Sequence, residues 1–280
     1  MDLIEHQGVE GLRVGRFPGR INTTCILYRL GETVIDTGPA NQWSTVKRFL
    51  RERSAERILV THHHEDHGGN LARVVRATGG TSYSPRASRR PLAEGFPLHL
   101  YRRIVWGRPE TVEPTTIPPR IPAGGSSSLT PIAAPGHSAD MTCYLEPDRG
   151  WLFSGDLYVS SRIRYLRRDE DLPRQLETLR SVLELDFETV FCSHRGVLSE
   201  GREALARKLD FLESLVERVQ NLRRRGMSPG AITRELLGRE DLMSWITAFH
   251  YSKRNLVEGC LAVLGEESRP PGEGDPSRVD

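Results

Sequence analysis

Nine consecutive residues, Thr61-His62-His63-His64-Glu65-Asp66-His67-Gly68-Gly69, hold the densest chemistry in the chain. Four histidines and two acids fill six successive positions, and the whole chain has only nine histidines. Imidazole nitrogen and carboxylate oxygen are ligands of zinc and other first-row divalent metals. A solvated polar loop has no use for such density, and an internal run broken by acids is not an expression tag. Three more ligand-type residues stand apart: His137 in Pro135-Gly136-His137-Ser138, Asp156 in Ser154-Gly155-Asp156, and His194 in Ser193-His194-Arg195-Gly196. With His62, His64, Asp66 and His67 they make five histidines and two aspartates. That set suits two metals sharing one carboxylate, with positions left open for water. Asp36, in Asp36-Thr37-Gly38-Pro39, reads either as a turn cap or as the acceptor that orients a metal-bound histidine.

Each ligand-type residue follows a short apolar run of the kind that makes a buried strand. Ile58-Leu59-Val60 precedes the histidine run, and Thr33-Val34-Ile35 precedes Asp36. Leu129 to Ala134 leads to His137, Gly150 to Phe153 to Asp156, and Thr189 to Cys192 to His194. Cys25 to Tyr28 and Met141 to Leu145 supply two more strands. Helical spacing predicts helices over Trp43–Arg53, Leu71 to Gly79, Leu172 to Leu183 and Glu203 to Arg225, then shorter ones over Ala231–Leu237, Leu242–Phe249 and Leu256–Leu264. Residues 84–127 are rich in proline and less regular, and read as an insertion or lid. The organisation is thus a metal-binding domain over 1–200, a C-terminal helical region over 201–264 and a disordered tail over 265–280, rich in Pro, Gly, Glu and Ser.

The 280 residues suffice for a sizeable core, and 37% apolar with 27% charged residues is the balance of a soluble globular chain. No apolar run reaches the roughly 20 residues of a membrane helix, and the N-terminus lacks the pattern of a signal peptide; a cytoplasmic location is the default expectation. The four cysteines are isolated, which argues against a zinc ribbon or a redox dithiol. A net charge of +2 does not by itself imply nucleic acid.

The ordered motifs Asp36, His62-x-His64-x-Asp66-His67, His137, Asp156 and His194 resemble those of the metallo-β-lactamase fold superfamily, over about residues 20–200. The resemblance implies an αββα sandwich, here with a C-terminal all-helical appendage. It implies that His62, His64 and His137 bind one metal, that Asp66, His67 and His194 bind a second, and that Asp156 bridges them. Asp36 would stand behind a ligand, while His63 and Glu65 occupy variable positions with no ligand role. It further implies two zinc ions per chain, with manganese or iron as alternatives, Asp66 and Asp156 as the catalytic carboxylates, and hydrolysis of a thioester or ester. Within the superfamily the chain is most similar to the glyoxalase II-like hydrolases and to a branch that includes single-strand endoribonucleases. RNA is therefore the alternative substrate. Further alternatives are a persulfide dioxygenase holding one iron through His62, His137 and Asp156, and a non-catalytic metal-bearing regulator. Tyr158 and the pair Lys253-Arg254 are candidate contacts for an anionic substrate, against packing and a solvated face as the bland readings; His99 is read as an ordinary surface or packing histidine.

Overall fold

The chain opens on a hairpin, β1 (Asp2–His6) and β2 (Val9–Val14), turned through Gln7 and Gly8 at φ 48° and 88°. Sequence pattern misses β1 because its side chains largely face solvent and show no apolar run. β3 (Cys25–Leu30) and β4 (Thr33–Ile35) follow as expected, then α1 (Trp43–Leu50), β5 (Arg57–Leu59), α2 (Leu71–Thr78) and β6 (Thr81–Ser84). β4, β5 and β6 pair in parallel, so α1 and α2 are the crossovers such pairing requires. This computed structural model describes residues 2–17, 23–51 and 55–267. The expected extension of α1 to Arg53 ends instead at Leu50, and residues 52–54 lie outside the described ones.

Residues 84–127 do more than interrupt the sheets. They form α3 (Arg89–Glu94) and α4 (Leu100–Trp106), then β7 (Thr115–Thr116), which closes the first sheet beside β6, and β8 (Ile121–Pro122), which starts the second. The second sheet continues with β9 (Ser128–Ala133), β10 (Thr142–Glu146) and β11 (Trp151–Gly155). After β12 (Leu166–Arg167) and α5 (Leu172–Leu183) it is completed by β13 (Thr189–Cys192) and β14 (Gly196–Leu198). The strand orders are β1 through β7 in sequence, and β14-β13-β11-β10-β9-β8.

Three apolar layers hold this together. Alternate residues of β3 point to opposite faces: Ile26, Tyr28 and Leu30 meet Tyr144, Phe153 and Phe191 between the sheets, whereas Cys25 and Leu27 pack outward with Val46, Phe49, Leu71 and Val74 of α1 and α2. On the far side, Cys143, Leu152 and Val190 pack against Leu172, Leu176 and Leu179 of α5. The order of layers is helix, sheet, sheet, helix, as expected.

The C-terminal part is helical, as expected, with shifted bounds. α6 (Gly201–Arg224) and α7 (Pro229–Leu237, capped by Ser228) lead to α8 (Leu242–Ile246). α8 stops short of Phe249 because Ala248 and Phe249 adopt φ 50° and 59°. β15 (Tyr251–Ser252) then pairs with β12, and α9 (Lys253–Glu267) closes the chain. Residues 265–267 are therefore helical, and the rest of the expected tail, 268–280, lies outside the described residues. Among the described residues no helix is long and apolar enough to cross a membrane.

Candidate metal centre

The expected ligands converge at one edge of the sandwich, just past the ends of β4, β5, β9, β11 and β13. Tight turns aim them. Gly155, immediately before Asp156, has φ 48°, and a Cβ there would lie 2.5 Å from Met141 and 3.0 Å from Thr61. Gly136, before His137, has φ 134°, and a Cβ would meet the Gln175 backbone nitrogen at 2.6 Å. Glycine is what lets both ligands approach so closely.

Two groups result, His62 with His64 and His137, and Asp66 with His67, Asp156 and His194, the ligand atoms within each lying inside 4.8 Å of one another. In the first, His64 Nδ1 lies 2.7 Å from His62 Nε2 and 3.2 Å from His137 Nε2. Asp156 spans both groups. Its Oδ2 is 3.1 Å from His137 Nε2, and its Oδ1 is 3.1 Å from both His67 Nε2 and His194 Nε2. Asp66 Oδ2 lies 3.7 Å from His67 Nε2 and 3.9 Å from His194 Nε2.

The far nitrogens of these imidazoles fix which nitrogen carries a proton. His194 Nδ1 lies 2.7 Å from the Thr24 carbonyl, which can only accept, so this nitrogen donates and Nε2 keeps its lone pair. His67 Nδ1 donates to Asp36 Oδ2 at 2.7 Å, and His137 Nδ1 faces Glu170 Oε1 at 3.3 Å. Thr61 Oγ1 donates to Asp36 and so accepts from His62 Nδ1 at 3.0 Å. In the neutral imidazoles the inward nitrogens of His67, His137 and His194 are thus lone pairs facing Asp156, and that of His62 faces His64 Nδ1. His67 Nε2 and Asp156 Oδ1 are fully buried, sit 3.1 Å apart and have no hydrogen-bond partner among the described residues. Opposed buried acceptors are costly unless a cation lies between them, so this donor set fits divalent metal ions.

Electrostatics agree with that fit. Burial works against the charge of Asp156, but His194, His67 and His137 outweigh it and hold the carboxyl well below its ordinary range. Burial, then His67, push His62 down; burial, then Arg167, do the same to His64, so both stay neutral ligands. Burial also opposes the charged form of His67, yet Asp156, Asp36 and Asp66 together raise its pKa: three carboxylates draw positive charge to this ring, and a metal ion at Nε2 would take the place of the proton.

Several supporting residues escape sequence reasoning. Asp140 accepts from the backbone and ring of His63 at 2.9 and 2.7 Å and from Ser88, which pins the loop. Glu65 is fully buried and takes a two-pronged contact from Arg102 of α4, at 2.5 and 2.6 Å. Arg167 of β12 sets its terminal nitrogens 3.4 and 3.1 Å from the two ring nitrogens of His64, donates to the His137 carbonyl, and is held by Asp169. Glu65 was read only as a variable position, and Asp140, Arg102 and Arg167 lie 77, 37 and 103 residues from the side chains they serve, separations that no local spacing reveals.

Tyr158 and Lys253, the candidate substrate contacts, are occupied elsewhere. Tyr158 is buried in the second-sheet core, its hydroxyl 2.9 Å from Ser161. Lys253 is buried with its ammonium on the Arg239 carbonyl and Asp241. Arg254 pairs with Glu258 one turn along α9. None of the three contacts the ligand cluster among the described residues. His99 stands exposed at the start of α4, its ring 4.2 Å from that of His250.

The family model of the metallo-beta-lactamase superfamily matches residues 17–194, the span that carries every ligand. The chain belongs to that superfamily. Relatives of this superfamily member include hydroxyacylglutathione hydrolases of Methylobacillus flagellatus, 29% identical with 62% of each chain covered, and of a Shewanella species, 30% identical with 69% of this chain and 68% of the relative covered. The chain spans about three-fifths of the length of the first such relatives. A β-lactamase domain protein of Burkholderia ambifaria superposes with a TM-score of 0.70 at 19% identity, covering 95% of this chain and 89% of the other; that likeness shows the fold.

Proposed function

We propose that this chain is a zinc-dependent hydrolase with a dinuclear site, opening a thioester or ester bond of a small anionic substrate. The observation that carries the proposal is Asp156, whose two oxygens each face a different ligand group at 3.1 Å. A site for one iron held by His62, His137 and Asp156 would have no need of Asp66, His67 and His194 around a second set of lone pairs. The hydroxyacylglutathione hydrolases among the relatives support a thioester.

His62, His64 and His137 would hold one ion, Asp66, His67 and His194 the other, and Asp156 both. Bound there, a divalent pair supplies a nucleophilic water at neutral pH and draws charge onto a carbonyl oxygen. The chain's part is orientation. Asp36, Thr24, Thr61 and Glu170 fix the rings, so that lone pairs point inward before the substrate arrives. Asp66, 7% exposed, offers one oxygen to its group and leaves the other to hold a proton of the attacking water. No thiol competes as nucleophile: all four cysteines are buried, and burial pushes Cys192, the one beside His194, up to about 11. Arg162, Arg164 and Arg168 stand exposed between Asp156 and α5, and Arg195 follows His194; these are the cations an anionic group would meet.

The test is elemental analysis of protein purified without chelator, joined to turnover of a hydroxyacylglutathione thioester. Two zinc ions per chain, with turnover lost on chelation and in Asp156→Ala, are expected. One iron with oxygen uptake, full activity in Asp156→Ala, or cleavage of single-stranded RNA that weakens steeply with salt would each overturn the proposal.

A further inference from the structure

The two ligand groups differ in charge and in what already satisfies them. The second holds the carboxylates of Asp66 and Asp156, and Asp36 stands 2.7 Å behind His67. Two of its atoms, His67 Nε2 and Asp156 Oδ1, are buried acceptors without a hydrogen-bond partner among the described residues. The first group is three imidazoles that share Asp156 through His137. None of its ring nitrogens is orphaned in that way among the described residues.

Arg167 makes the difference. Its guanidinium is buried and has donors but no acceptor. The nearer terminal nitrogen stands 3.1 Å from His64 Nε2, the other 3.4 Å from His64 Nδ1. Nε2 is therefore the accepting nitrogen of this ring, and Nδ1 carries the proton and donates it to His62 Nε2 at 2.7 Å. Yet Nδ1 is also the atom that faces both His62 and His137, and so the one that would bind an ion. With an ion on Nδ1 the ring proton belongs on Nε2, donor against donor with Arg167, so Arg167 must turn off the ring for the first group to load. The charges act in the same direction. Glu170, the acid behind His137, is shared with Arg167 at 3.7 Å, and Asp169 holds Arg167 in place at 3.0 Å. We propose that the two metal positions are unequal: Asp66, His67, Asp156 and His194 hold a tight ion, His62, His64 and His137 hold an exchangeable one, and Arg167 sets the gap between them. This rests on the dinuclear site proposed above.

The experiment strips zinc from the zinc-loaded full chain with chelators of graded strength. A charge a few ångströms away in a buried site changes the affinity for a dication by about tenfold or more, so two steps with dissociation constants at least ~100-fold apart are expected. Histidine-selective nitrogen NMR of the one-zinc form should find the ion on Nε2 of His67 and of His194, and not on Nδ1 of His64. Arg167→Met, with circular dichroism unchanged, should tighten the weaker ion at least ~tenfold and leave the other within about threefold, a gain that lost packing would not give. If Arg167→Met does not fold, the NMR of the parent decides. Three results would each overturn the inference and leave the dinuclear hydrolase standing: both ions lost at one chelator strength, a one-zinc form held by His62, His64 and His137, or a weaker ion no tighter in folded Arg167→Met. A single zinc at every concentration, in the parent and in Arg167→Met alike, removes the dinuclear site and this inference with it.

Discussion

Asp36 sits at φ 62°, in the left-handed region that a residue with a side chain adopts only where its surroundings insist. Its carboxylate accepts from His67 Nδ1, the Thr61 amide and the Thr61 hydroxyl, and Thr61 in turn orients His62, so one acid sets a ligand in each metal group. Asparagine tolerates the same backbone but presents one amide nitrogen where an oxygen now accepts, so Asp36→Asn must set a donor against a donor. Metal affinity should fall on the order of 10- to 100-fold, measured by chelator competition. Affinity within twofold of the parent would mean that Asp36 only shapes its turn. The ligands themselves were legible because each is a histidine or aspartate beside an apolar run, and histidine is scarce in this chain. Their partners were not. Thr24 acts through a carbonyl every residue has, and Glu170 is one acid among 37.

At the scale of elements, strands and helices of the sandwich were readable because β3, β4, β10, β11 and β13 are buried on both faces and so run continuously apolar. α4 was hidden inside the 84–127 stretch read as an insertion or lid, since its role depends on one polar contact. Arg102 and Glu65 are 8% and 0% exposed, so removing the cation alone strands a carboxylate in the interior. Arg102→Met should destabilise the fold by about 3–5 kcal/mol at pH 7, and Glu65→Gln added to it should recover part of that loss. Burial already raises the Glu65 pKa, with Arg102 opposing it. Without Arg102 that pKa rises further, and a carboxyl raised in the folded state costs stability as pH climbs through its range. The deficit should therefore shrink from pH 7 to pH 5 in denaturant titrations. A deficit independent of pH would show that lost packing, not an unpaired carboxylate, accounts for the change.

At the scale of the whole molecule, the change near residue 200 from mixed strands and helices to helices alone suggested an appendage, because sequence shows where helices lie and not what their faces cover. The structure joins them to the second sheet. Ile232 of α7 and Leu256, Val257 and Cys260 of α9 belong to the same buried cluster as Cys143, Leu152, Val190 and the α5 leucines. β15 also pairs with β12, which carries Arg167 to His64. Burying a side chain of the size of Ile, Leu or Val is worth about 1.5–3 kcal/mol, so losing Ile232, Leu256 and Val257 alone removes roughly 4.5–9 kcal/mol from a total that is typically 5–15. A chain ending at Gly226 also leaves the α5 and α6 leucines facing water and β12 without a partner. It should give no cooperative thermal transition, bind a hydrophobic dye, and retain less metal than the full chain under the same purification. A truncated chain that melts cooperatively within a few degrees of the parent and holds as much metal would show that the helical end is a separable unit, with Arg167 held well enough by Asp169 and Glu170 alone.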